Sequence, residues 1–283
     1  MLPINQAFDA FVRALQPAKA RAAQAERMQS HVRATLRHHL PSLRESFLTG
    51  SFARSTAIEP LADVDVFLVL DPRLATRATA PKELLRSVQT AVKKAMPGDA
   101  VAALQNHSIG LTYAGNDLRL DLVPALPEGE HYWIPDIPRG NWIRTSPRRQ
   151  KALLDAADHR AGSKLRPLIR LAKAARRKGF GKLGSYHLEV MSLTAFASPP
   201  PDYARGFAML LAHLGDKVIQ HIQDPTGGDG PRLSLPIAER QDLQRRLHAA
   251  TATAERALHL GVTGALDKAH AQWRHLLGDG WPG

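Results

Sequence analysis

Residues 63–70 read Asp-Val-Asp-Val-Phe-Leu-Val-Leu, and this run constrains the chain more than any other. It is rich in Val and Phe, and Asp71-Pro72 stops it, which is the signature of a mostly buried β-strand. Side chains alternate faces along a strand, so Asp63 and Asp65 point the same way. Two carboxylates that close repel each other when both are ionised, and burial without a cation would force one to take up a proton. The run therefore demands both a sheet and a reason for the paired acids.

Around it the chain changes character. The first forty residues read as helix: Phe8, Phe11, Val12 and Leu15 form one apolar face, Pro17 breaks the pattern, and a second helix runs from Ala20 to Leu40. Glu45 to Ser51 reads as a short strand entering a tight turn at Gly50-Ser51. Pro81 to Met96 is helical. Strands are expected near Ser108 to Tyr113 and Leu118 to Val123, with a hairpin turn at Gly115-Asn116-Asp117, and a short one at Tyr132 to Ile134. From Ser146 onward the pattern is helical, with segments at Ser163–Lys178, Ser185–Ala197, Tyr203–Ile222 and two more across Ala238–Leu277. Asp224 to Pro231 is a loop by composition. The expected organisation is a sheet-bearing part over 1–150, with the N-terminal helix free to pack on either half, and an all-helical part over 151–283.

The 283 residues suffice for one large domain or two small lobes. There is no cysteine, which excludes disulfides and cysteine-bound zinc and fits a reducing cytoplasm. The start of the chain lacks a basic region followed by an apolar one, and the apolar runs are too short to span a membrane. The formal net charge of +12 favours polyanionic partners such as nucleic acid or nucleoside triphosphates. The plainer explanation is solvated helix faces. The densest basic stretch runs from Lys164 to Lys182.

A divalent cation would relieve the repulsion between Asp63 and Asp65. Magnesium favours carboxylate oxygens and keeps positions open for water and phosphate. Asp121 opens a second apolar segment, Asp-Leu-Val-Pro, and a strand laid beside the first would bring in a third carboxylate. Three acids can hold two ions, one activating an attacking hydroxyl and one binding the triphosphate. Gly50 lets backbone approach a phosphate closely, and Ser51 can donate a hydrogen bond to it. A bare D-x-D is usually a pair of surface charges at a strand edge. The joint pattern of Gly-Ser, D-x-D in an apolar strand, and a later D-L-V-P favours the catalytic reading.

These residues carry a family resemblance. GSFARSTAIEPLADVDVFLVLD (50–71) resembles the nucleotidyltransferase signature of the polymerase-β superfamily. DLVPAL (121–126), YWIPDIPRGNWIRTSP (132–147), LRPLIRLAKAARR (165–177) and SYHLEVM (185–191) extend the likeness and point to the CD-NTase family, the cGAS/DncV-like enzymes of bacterial CBASS anti-phage systems. DPTGG (224–228) resembles a loop shared with related enzymes, including the archaeal CCA-adding and oligoadenylate synthetase branches. The resemblance implies an α+β fold: a polymerase-β-like lobe with a small mixed sheet, and a helical lobe closing a nucleotide cleft. It implies that Asp63, Asp65 and Asp121 hold two Mg2+ ions, with Mn2+ as an alternative. By the same resemblance Lys173 and Ser185 contact the triphosphate and Tyr186 stacks on the base. The plainer readings are a solvated charge for Lys173, a helix N-cap for Ser185 and a core aromatic for Tyr186. The reaction implied joins NTPs, ATP being the expected substrate, and ends in a cyclic di- or trinucleotide that reaches a downstream effector. A nucleic-acid or protein activator is left open. The cysteines of the animal sensor's zinc module are absent. The rival readings are a template-independent RNA-tailing or linear-oligonucleotide enzyme, and an inactive nucleic-acid-binding protein of the same fold.

Two patterns are set aside. Gly179 to Gly184 matches G-x-G-x-x-G but follows a basic helix instead of a strand, so it reads as an interhelical loop. The thirteen histidines form no close ligand set, and His38-His39 reads as helix surface.

Overall fold

The computed structural model describes residues 1–73, 75–96, 98, 100–228 and 235–283. In chain order the elements are α1 (Ile4–Leu15), α2 (Lys19–Leu36), β1 (Leu43–Leu48), the short α3 (Gly50–Ala53), β2 (Asp63–Leu70) and α4 (Pro81–Ala95). Strands β3 (Ala100–Leu104), β4 (Ile109–Tyr113), β5 (Arg119–Glu128), β6 (His131–Asp136) and β7 (Asn141–Thr145) follow. The helices α5 (Pro147–Arg160), α6 (Leu165–Gly179), α7 (Ser185–Ser192), α8 (Tyr203–Val218), α9 (Ile237–Val262) and α10 (Leu266–Leu277) complete the α+β fold. The chain forms two compact units. One comprises Pro17–Lys151 with a segment beginning at Thr226; the other comprises Met1–Gln16, Ala152–Pro225 and the C-terminal helices to Gly283.

The first unit is built on a mixed seven-stranded sheet ordered β1-β2-β5-β4-β3, with β6 and β7 continuing from β5. Strands β2 and β5 run parallel, whereas β1–β2, β3–β4, β4–β5, β5–β6 and β6–β7 are antiparallel. Period-two alternation divides β2 cleanly. Val64, Val66, Leu68 and Leu70 are buried with Val32 and Leu36 of α2 and Leu84, Leu85, Val88 and Val92 of α4 in one large core. Each such side chain contributes roughly 1.5–3 kcal/mol on burial. A one-residue slip would carry the apolar set out of this core, which fixes the register. The odd positions face the other way. There Phe67 and Val69 join Val123, Ala125 and Tyr132 in a smaller cluster. Phe67 meets Tyr132 edge-on at 5.6 Å. That second face is apolar at one end and acidic at the other, because Asp63 and Asp65 precede Phe67 and Val69 on it.

The second unit is helical. Its amphipathic α1 buries Phe8, Phe11, Val12 and Leu15. Phe8 lies 4.8 Å from both the Trp273 and the Trp281 rings. Chain order alone puts α1 within 1–150, but its apolar stripe packs on the C-terminal helices and places it with the helical unit. Asp202 caps α8, accepting a hydrogen bond from the Arg205 amide. Four cations of the basic stretch 164–182 pair with carboxylates inside this unit. Arg166 pairs with Asp155 and, at 2.6 Å, with Asp158. Lys173 pairs with Glu189 at 2.6 Å, Lys178 with Asp279 at 3.1 Å and Lys182 with Glu239 at 3.3 Å.

Several boundaries differ from the expected ones. Strands β3 and β7 were not expected; β3, Ala-Val-Ala-Ala-Leu, has only one β-branched residue to announce it. The α7 helix ends at Ser192 and α8 at Val218, each short of the periodic pattern. Gly184, not Ser185, occupies the cap position of α7. Within the Asp224–Pro231 loop, 229–231 lie outside the described residues; in the part before them His131 Nε2 lies 3.0 Å from the Thr226 carbonyl oxygen. Among the described residues no helix is long and apolar enough to cross a membrane.

Candidate active site

Parallel pairing of β2 with β5 brings the acids together. Asp65 lies directly opposite Asp121, and Asp63 opposite Arg119. All four residues are on the odd face. Asp63 is exposed, Asp65 partly buried and Asp121 buried.

The turn after β1 closes over Asp65. The Thr49 amide donates to the Asp65 carbonyl at 2.8 Å, extending the β1–β2 ladder into the turn. Gly50 then takes φ +66°, and a Cβ there would overlap an Asp65 carboxylate oxygen and come within 2.8 Å of Cγ. Conformation and space thus both require glycine at this position. Gly50 also opens α3, which contains Ser51. Beside the turn is a cavity of about 110 Å³ whose wall includes Gly50, Arg54, Arg148 and Lys151. The rest of the wall is mostly apolar, with Phe47, Leu48, Ala53 and Pro147, and Arg148 pairs with Glu45 at 2.6 Å.

The electrostatics of the cluster are unbalanced. Burial, and then the negative charges of Asp121 and Asp63, push the Asp65 carboxyl up to about 6, while Arg54 and Arg119 pull it back. Arg119 donates to both Asp121 oxygens, from Nε at 2.8 Å and Nη2 at 3.2 Å. Its Nη2 also stands 3.6 Å from Asp63 Oδ2. Asp121 has a second partner: Gln105 Nε2 donates to Oδ1 at 3.2 Å, and Ser108 Oγ donates to Gln105 Oε1 at 2.6 Å. Gly110, opposite Asp121 on β4, leaves room for this amide; a Cβ would lie 2.6 Å from Gln105 Nε2.

The donor set fits a hard divalent cation: three carboxylates on one face, carrying more negative charge than their surroundings neutralise. Among the described residues, however, no three acidic or imidazole side chains are drawn together tightly enough to form a finished ion cage. The guanidinium of Arg119 is inserted among these acids instead. Asp117, the next acid along the chain, pairs with Arg21 and belongs to the turn before β5, not to this cluster.

The other residues singled out from the sequence lie in the helical unit. Lys173 is buried on α6 and paired with Glu189, so it is not a solvated helix charge. Ser185 is the first residue of α7. Tyr186 donates its hydroxyl to Asp224 Oδ2 at 3.0 Å. Its neighbour His187 is buried, and desolvation lowers its imidazole to about 4. Sequence reasoning missed Arg119, Gln105 and Arg54. Arg119 could have been found from spacing, since it precedes Asp121 by two positions on a strand and must share its face.

Comparison with known proteins places this geometry in a family. Residues 2–157, more than half of the chain, match the model of the Second Messenger Oligonucleotide or Dinucleotide Synthetase (SMODS) domain. A Cyclic AMP-AMP-AMP synthase from an Acinetobacter strain is 26% identical over 84% of this chain and 72% of its own length. The structure of Escherichia coli MS115-1 CdnC with ATP superposes with TM-score 0.81 at 18% identity over 99% of both chains. Vibrio cholerae DncV cyclic AMP-GMP synthase, solved with the linear intermediate pppA(3′,5′)pG, gives 0.78 at 13% identity over 99% of this chain and 98% of that one. At those identities the two structures speak for the fold. With the SMODS match they establish that this chain belongs to the CD-NTase family of second-messenger oligonucleotide or dinucleotide synthetases.

Proposed function

We propose that this protein joins nucleoside triphosphates, ATP foremost, releasing pyrophosphate and closing the product into a cyclic oligonucleotide. The observation that carries the reading is the pairing of Asp65 with Asp121 beside Asp63, under the Gly50 turn. Asp63, Asp65 and Asp121 would hold two magnesium ions, with manganese as a substitute. Bound there, the ions would neutralise the triphosphate and lower the pKa of the attacking hydroxyl. In each joining step a ribose hydroxyl oxygen bonds to the α-phosphorus, the bond to the β-phosphate oxygen breaks, and the hydroxyl proton leaves to solvent.

The chain's own groups do the positioning. Backbone at Gly50 and the Ser51 hydroxyl suit phosphate oxygens, and Arg54, Arg148 and Lys151 line the adjoining cavity. Ser185 and Tyr186 are assigned to the nucleotide, the tyrosine ring stacking on the base. Lys173 is assigned to the triphosphate by resemblance, although its ammonium is engaged by Glu189. The name of the Acinetobacter relative, a synthase of three linked AMP units, favours ATP and a trinucleotide ring. A soluble second messenger acting on a cytoplasmic effector in anti-phage defence completes the proposal.

Ring closure brings the free hydroxyl of the linear intermediate to its own triphosphate. Such an intramolecular step gains a large effective concentration. The test is incubation of the protein with each labelled NTP and magnesium, followed by phosphatase and mass identification. A phosphatase-resistant product from NTPs alone, absent with Asp65→Asn, is expected. Product that phosphatase degrades, or that forms only with added RNA, would move the enzyme to the linear or RNA-tailing class.

A further inference from the structure

The acidic cluster contains its own cation. Arg119 uses two nitrogens on the two oxygens of Asp121 and reaches toward Asp63, so it occupies the position of charge that the three acids create. Its side chain is two-fifths exposed. Gln105 approaches Asp121 differently. It carries no charge, it is held by buried Ser108, and Gly110 supplies the space in which it lies.

The geometry points to a division of labour: Arg119 is a displaceable stand-in for the divalent ion, and Gln105 is the fixed support that keeps Asp121 oriented when the ion replaces it. Ion and guanidinium compete for the same oxygens. With Arg119 seated the metal-free cluster is partly neutralised, and loading requires both hydrogen bonds to Asp121 to break. Arg119 thereby sets how much free divalent ion is needed to arm the site. Gln105 has the opposite sign of effect, because it donates to one carboxylate oxygen without competing for a second charge and prepays the ordering of Asp121.

This rests on reading Asp63, Asp65 and Asp121 as the ion's ligands, and the experiment separates the two claims. Mn2+ binding to the full chain, without nucleotide, is followed by the loss of the free-ion EPR signal, with Mg2+ as competitor. Arg119→Gln, which keeps a donor and removes the charge, should bind Mn2+ about tenfold more tightly, because charge-assisted hydrogen bonds no longer have to be broken. Arg119→Lys should fall between it and the unaltered protein. Gln105→Leu should weaken Mn2+ binding by about tenfold, in line with the loss of an outer-shell partner. General loosening of the fold would shift both variants in one direction, so the opposed signs are the signature. Equal Mn2+ affinity in Arg119→Gln and the unaltered protein, or weaker affinity in Arg119→Gln, overturns the stand-in role. Unchanged Mn2+ affinity in Gln105→Leu overturns the support role. If Asp65→Asn retains full Mn2+ binding, the ligand assignment itself falls; if it loses binding while Arg119→Gln is unaltered, the stand-in role alone falls.

Discussion

The sheet unit and the helical unit treat buried charge in opposite ways. On α6, Arg166 pairs with two aspartates and Lys173 with a glutamate, and Arg176 Nη1 donates to the Leu183 carbonyl at 3.0 Å. On the odd face of β2 and β5, Arg119 pairs with Asp121 and reaches Asp63, and Arg54 and Arg119 only partly offset the burial and negative neighbours that drive the Asp65 carboxyl up to about 6. Charge that is dense in sequence but balanced in space serves packing. Charge that is sparse in sequence but unbalanced in space makes the β2–β5 face the candidate site. The stretch 164–182 is the most basic in the chain, yet four of its cations are engaged by carboxylates of their own unit.

The largest effect that could break this contrast belongs to Lys173. If its pairing with Glu189 is packing, Lys173→Ala leaves a buried carboxylate without its ion-pair partner and should cost about 3–5 kcal/mol of stability. The double variant Lys173→Met/Glu189→Leu removes both charges and should recover most of the loss. Urea midpoints of the three proteins measure this. A single-variant cost under about 1 kcal/mol, the range of an exposed pair, would mean that the two units do not differ as described. The double variant also sharpens the site assignment: a stable protein with weakened triphosphate affinity would place the Lys173 ammonium on phosphate, and normal affinity would leave it a packing residue.

The next effect concerns the unbalanced side. In metal-free protein the Asp65 carboxyl stands near 6 instead of its ordinary 3.8, so the fold favours its neutral form. The Asp65 contribution to stability is then fully present below pH 3.8, is lost as the pH rises from 3.8 to about 6, and does not change above. Asp65→Asn is neutral throughout. In chelator it should be more stable than the unaltered protein at pH 8, by at most about 3 kcal/mol, and should lose that advantage toward pH 4. Denaturation at three pH values checks it. A difference that does not vary with pH would mean that Asp65 is already compensated. Saturating magnesium should abolish the advantage at pH 8, because the ion then stabilises only the carboxylate form.

How much of this was legible beforehand follows from the kind of information involved. The strand at 63–70 and the shared face of Asp63 and Asp65 follow from composition and alternation. The D-L-V-P segment marked Asp121. That β5 lies parallel to β2 with Asp121 opposite Asp65 is a statement about sheet order, which no local pattern carries. The apolar stripe of α1 was plain, but a stripe announces that a face is buried and not against what. It meets Trp273 and Trp281, more than two hundred residues later. Gln105 sits in the turn between β3 and β4 with no motif around it, and only the contact to Asp121 gives it meaning. The pairing of Lys173 was hidden because Glu189 lies on the next helix, beyond the reach of i,i+4 reasoning.

The smallest effect tests Tyr186, where both kinds of role meet in one side chain. Its hydroxyl donates to Asp224, a contact within the helical unit, and its ring is assigned to the base. These functions are separable. Tyr186→Phe deletes the hydrogen bond and keeps the ring, so it should cost about 1 kcal/mol of stability and leave nucleotide affinity unchanged. Tyr186→Ala deletes both, and should weaken base binding by about 1–3 kcal/mol if stacking is the contact. Nucleotide titration of each variant in an Asp121→Asn background reads affinity without turnover. Equal losses for Phe and Ala would assign recognition to the hydroxyl, and with it to the Asp224 contact that orients the start of the 224–228 segment. No loss for either would return Tyr186 to the helical packing that accounts for its neighbours His187 and Leu188, both buried on α7.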